Sequence, residues 1–105
     1  MTPRPLACAL ALALAACAST GPTSVPAQHL AHVTRDVQQW HDAKHPECPF
    51  AAVVATQVLA RDGTSARERW TVAACAGGRF DYAVSVKLLN GGIWDGVSDV
   101  EAPTR

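Results

Sequence analysis

Two neighbouring stretches alternate along the chain with a period of two, and this constrains the fold more than any other feature. In residues 67–75, Glu68, Trp70, Val72 and Ala74 fall on one side and Arg69, Thr71, Ala73 and Cys75 on the other. Phe80, Tyr82, Val84 and Val86 alternate in the same way with Asp81, Ala83, Ser85 and Lys87. Successive side chains of a strand point to opposite faces, so each stretch reads as a strand with one face turned to a core. Gly77-Gly78 turns the chain between them. Asp62-Gly63 and Asn90-Gly91-Gly92 are two further hairpin signals. They set off an Ala- and Val-rich strand over residues 50–59 and a short edge strand over 93–100.

Ahead of the strands the period changes. Leu30, Val33, Val37 and Trp40 recur at +3, +4 and +3, which predicts an amphipathic helix over residues 28–44. Pro46 ends it, and Lys44 and His45 suit its negative end. Ser24 is placed to cap its start, with Pro26 in the first turn. A helix followed by three or four sequential strands gives an α+β fold: an antiparallel meander with the helix on one face. Trp40, Trp70, Phe80 and Tyr82 are its expected core.

The chain has 105 residues, room for one small domain, and nine Lys+Arg balance nine Asp+Glu. That balance argues against nucleic-acid binding, which draws most of its affinity from a basic excess. It also argues against a polybasic lipid-binding patch. With 49% hydrophobic and 17% charged residues the chain is not of a disordered class.

Residues 1–16 read as a leader rather than as part of the fold. Arg4 and the terminal amine precede an uninterrupted apolar run over residues 6–16, the pattern of a secretory signal. Eleven helical residues rise about 16 Å, short of the roughly 30 Å hydrocarbon core. The run ends in Leu14-Ala15-Ala16-Cys17, which resembles the lipobox of bacterial lipoprotein precursors. The resemblance implies cleavage before Cys17, diacylglyceryl transfer to its thiol and acylation of the new amino group. Two or three acyl chains on one residue hold a protein at a bilayer essentially for good. Ala18 follows the cysteine where Asp would favour retention at the inner membrane, and resemblance to enterobacterial lipoproteins then implies the outer membrane, facing the periplasm.

Residues 17–26 then read as a lipidated, flexible linker of small polar residues, Gly and Pro. Its length lets the domain over residues 27–100 stand about 20–30 Å from the bilayer at full extension. Residues 101–105 form a tail. Cys8 leaves with the leader and Cys17 takes lipid, so an oxidising periplasm leads us to expect a Cys48–Cys75 disulfide. A redox or metal role for that pair is weak, because no Cys-x-x-Cys occurs.

Cys48-Pro49, the run Glu68-Arg69-Trp70-Thr71-Val72-Ala73-Ala74-Cys75 and the alternating strand beyond Gly77 resemble a group of small proteobacterial lipoproteins. They share a Cys-Pro and a Glu-x-Trp-x-Val-x-x-Cys strand, over about residues 45–95 here. Ala76 follows the cysteine where that group usually has Gly. The resemblance supports the disulfide and the strand order and implies no chemistry.

Individual candidates are few. His41 and His45 stand at i, i+4, a spacing that can grip zinc or copper, with Cys48 a third ligand if reduced. His29 and His32 lie on the opposite flank, so the four cannot share one ion. We assign no metal and read the histidines as a solvated helix flank. Glu68 and Arg69, beside Trp70, are either a polar handle at a groove or cross-strand charge pairing on a solvated face, and we adopt the latter. Asp95, Asp99 and Glu101 read as a solvated acidic cluster. Ser65, Ser85 and Ser98 lie in no nucleophile elbow, and no phosphate loop, dinucleotide fingerprint or His-Glu-x-x-His occurs.

The chain therefore reads as a non-enzymatic lipoprotein of the Gram-negative envelope, with no cofactor, that acts through contacts with an envelope protein. Trp94, on a short edge strand beside Gly91, Gly92 and Gly96, is the expected contact residue. Two alternatives are a periplasmic ligand- or metal-binding module, with Trp40 and Trp70 walling a groove, and an inhibitor of an envelope-directed hydrolase. The latter rests on analogy of class alone.

Overall fold

The computed structural model describes residues 21–100. The lipobox with Cys17, Ala18 and the leader, and the tail with Glu101, lie outside the described residues. One helix, α1 (Ala27–Lys44), precedes four strands: β1 (Phe50–Asp62), β2 (Ser65–Ala74), β3 (Arg79–Leu89) and β4 (Gly92–Asp99). The strands form one antiparallel sheet in chain order, and α1 packs on one of its faces. This is the α+β meander expected from the sequence, joined by a disulfide between Cys48 and Cys75. Among the described residues no helix is long and apolar enough to cross a membrane.

The alternation of β2 and β3 becomes the core. Ala66, Trp70, Val72 and Ala74 of β2 and Tyr82, Val84 and Val86 of β3 are buried on the helix side, against Val33 and Val37 of α1. Trp70 pairs across the ladder with Tyr82, and the two are 1% and 2% exposed. Burying an aromatic side chain of 150–250 Å² stabilises the fold by roughly 4–6 kcal/mol before ordering costs. Trp40 and Phe80, expected at the centre, are only partly buried and pack on its margin.

β1 shows no clean alternation because three irregularities interrupt its pairing with β2, at Phe50/Ala52, Val53/Ala55 and Val58/Ala60. Each shifts the register by one residue and with it the inward phase. Two-residue loops close the β1–β2 and β3–β4 hairpins, with Gly63 at φ 62° and Gly91 at φ 85°. The β2–β3 connection begins at Cys75, two residues ahead of the Gly77-Gly78 signal. Cys75–Gly77 form a single 3-10 turn in which Ala76 takes the left-handed φ of 52°.

Two expectations are corrected at the start of the domain. Residues 21–26, assigned to a linker, pack on the sheet: Val25 is buried, and the Thr56 hydroxyl lies 3.0 Å from the carbonyls of Gly21 and Pro22. A Cβ on Gly21 would sit 2.0 Å from the Thr56 carbonyl oxygen, so the approach is open only to glycine. Ser24 does not cap α1; Pro26 is the N-cap residue and makes no side-chain cap bond. The polar groups of Ser24 are spent elsewhere, as described next.

Candidate functional site

Glu68 corrects the reading of a solvated charge pair. It shares the inward face of β2 with Trp70 and Val72 and is fully buried. One carboxylate oxygen accepts from the Thr23 hydroxyl and from Trp70 Nε1–H, each at 2.8 Å. The other accepts from the backbone N–H and the hydroxyl of Ser24. Four donors satisfy a buried carboxylate that has no cationic partner among the described residues. Glu68 is thus the internal anchor of residues 21–26.

His41 corrects the reading of a solvated flank and of a candidate ligand. The helix buries the line Val33, Val37, His41, and the imidazole is fully enclosed. Nε2 donates to the Cys48 carbonyl at 2.7 Å, and in the neutral ring Nδ1 accepts from the Tyr82 hydroxyl at 2.6 Å. Both ring nitrogens are committed to protein partners. Cys48 is committed to its disulfide, and the half-buried His45 ring packs 4.5 Å from that of Phe80. The His41, His45 and Cys48 grouping therefore offers no set of free donors for a metal. Burial, and behind it the Asp99 and Asp42 carboxylates, raise the pKa of the Tyr82 hydroxyl.

The acidic cluster divides. Asp99 accepts from Trp40 Nε1 at 3.1 Å and pairs with Lys44. These two hydrogen bonds lower its pKa. Asp95 does not face solvent. It lies between Ile93 and Val97 on the helix side of β4, and its side chain is 5% exposed. Burial, reinforced by the adjacent Asp36 carboxylate, pushes Asp95 up to about 6, although His32 pulls the other way. His32 and Asp36 approach from α1, and their ligand atoms and that of Asp95 all lie within 4.8 Å of one another. Beside them is a shallow depression of about 340 Å³ whose lining includes Gln39, Trp40 and Val97. Trp70 walls no groove, because it belongs to the interior.

The opposite face of the sheet carries no helix. Cross-strand rows run Asp62–Ser65–Lys87–Trp94, Ala60–Arg67–Ser85–Gly96 and Gln57–Arg69–Ala83–Ser98. Arg67, Arg69 and Lys87 are exposed there and form no salt bridge among the described residues. Trp94 is 54% exposed, and its indole lies over Gly96, where a Cβ would come within 3.2 Å of the ring. A depression of about 290 Å³ opens between Trp94, Lys87, Ser85, Arg67 and Arg61. Comparison with protein-family models, with curated proteins and with solved structures finds no match for this chain.

Proposed function

We propose that this chain is a lipid-anchored, non-enzymatic protein of the Gram-negative envelope that docks an acidic surface of another envelope protein on the bare face of its sheet. The address rests on Leu14-Ala15-Ala16-Cys17 behind an apolar leader. The observation that carries the mode of action is the group of Arg67, Arg69 and Lys87 on that face, with exposed Trp94 across from Lys87. Three unpaired cations on adjacent strands attract and orient carboxylates, and an indole lying on a glycine supplies a flat apolar anchor. Residues 21 and 22 meet the sheet on its other side, at Thr56. The tether of a lipidated chain therefore leaves the docking face clear and favours a protein over lipid headgroups as its occupant.

Two measurements test this reading separately. The intact mass of the membrane-extracted chain reports the acyl additions on Cys17, and an unmodified mass overturns the address. A photo-crosslinker at Ser98 in intact cells should give one recurrent envelope-protein adduct that high salt weakens. The double variant Arg67→Glu, Arg69→Glu should abolish it. An adduct indifferent to both, or no adduct, overturns the docking face.

A further inference from the structure

We propose that His32, Asp36 and Asp95 form a zinc site with one coordination position open to solvent. His32 and Asp36 stand one helical turn apart on α1, and Asp95 meets them from β4. His32 Nε2 lies 3.3 Å from Asp36 Oδ2 and 3.5 Å from Asp95 Oδ1. A tetrahedral zinc ion with bonds of about 2.0–2.1 Å holds its ligand atoms about 3.3–3.4 Å apart. Both histidine-to-carboxylate edges already have that length, so an ion can enter with little movement of the backbone.

A second observation points to a ligand independently of this spacing. Oδ2 of Asp95 is buried with no hydrogen-bond partner, the one such side-chain atom among the described residues. A buried polar atom without a partner costs about 1–3 kcal/mol, and more when charged. The facing Asp36 carboxylate adds repulsion. A divalent cation relieves both, since it neutralises the pair and can take Oδ2 as well as Oδ1.

The donor set selects the metal. One imidazole and two carboxylates make a mixed nitrogen and oxygen site that suits zinc. Magnesium and calcium call for six or more oxygen ligands. The depression beside Trp40 and Gln39 leaves room for a water as the fourth ligand.

Arg35 is the competitor. Its guanidinium donates to His32 Nδ1 at 3.2 Å. While that bond stands, the neutral ring carries its proton on Nε2, aimed at the two carboxylates. Zinc needs the Nε2 lone pair, so the ring proton moves through solvent to Nδ1 and the exposed Arg35 side chain swings away.

Calorimetric titration of the purified, chelator-treated full chain with zinc chloride at neutral pH tests the site, with magnesium chloride as control. One zinc per chain should bind and raise the thermal midpoint. His32→Ala alters a side chain that is 45% exposed, which spares the fold. It should weaken binding at least about tenfold. Asp95→Asn should do the same, His29→Ala should leave binding unchanged, and Arg35→Ala should tighten it a few-fold. Absent zinc heat, equal uptake by His32→Ala, or an equal response to magnesium overturns the proposal. His32→Ala alone decides the matter if Asp95→Asn does not fold.

Discussion

Glu68 accepts hydrogen bonds from both the backbone N–H and the hydroxyl of Ser24, 44 residues earlier in the chain. The pair joins the entry of the domain to the centre of the sheet. Glu68→Gln keeps the shape but turns an amide NH₂ toward donors, so one pair of bonds is lost. It should destabilise the domain by about 2 kcal/mol, and Glu68→Ala by about 3 kcal/mol or more, since it strands Trp70 Nε1–H. Urea unfolding with unchanged slope reads both effects; a midpoint equal to that of the parent would refute the assignment.

Tyr82 sets an alkaline limit. Its folded pKa is raised above the ordinary value of 10.0. The stabilisation is therefore complete below pH 10 and is lost as pH climbs through the higher folded value. The chain holds a single tyrosine, so phenolate absorbance reports this one hydroxyl. It should ionise later in the folded chain than in urea. Tyr82→Phe should remove the alkaline loss it causes and cost about 1–3 kcal/mol at neutral pH by orphaning His41 Nδ1.

Cys48 and Cys75 are 27 residues apart. In the chain-entropy description, closing that loop contributes about 3.5 kcal/mol. The double variant Cys48→Ser, Cys75→Ser should lose about that much in urea unfolding. The parent treated with a reductant should fall to the same level, whereas the variant should not respond.

Ala76 holds a left-handed backbone, at φ 52° and ψ 31°. An L-residue there costs about 1–2 kcal/mol, against a greater entropy loss for glycine on folding. Ala76→Gly should therefore stabilise the chain by about 0.5–1 kcal/mol, read as a higher thermal midpoint. A lower midpoint would show that the turn is unstrained.

β2 and β3 are legible in the sequence because their pairing is regular from Ser65 to Ala73 and no bulge disturbs the alternation. β1 is less so, since its three irregularities erase the period that an observer would count. The helical stripe is visible, but it divides after Val37. Trp40 at +3 attracts attention by its size, while the buried position is His41 at +4. A histidine in that place becomes legible only with Tyr82 and the Cys48 carbonyl beside it.

Glu68 and Asp95 carried their signal in the alternation itself, Glu68 in step with Trp70 and Val72, Asp95 in step with Ile93 and Val97. Charge alone argues for solvent, and only distant partners reverse that argument: Thr23 and Ser24 for the first, His32 and Asp36 for the second. The meeting of α1 with β4 depends on how the helix crosses the sheet, which no local pattern records.

Three residues separate Cys17 from Gly21, a reach of at most about 14 Å between the two. Since the chain is seated on Thr56 and Glu68 from there onward, an acylated sulfur would keep the domain flush with the headgroup layer, like a stud rather than a flag on a pole. Tension on the acyl chains would pass into the middle of β1 and β2 and shear the whole ladder. The first turn of α1 would be spared, and extraction would have to break the sheet before it could unwind the helix.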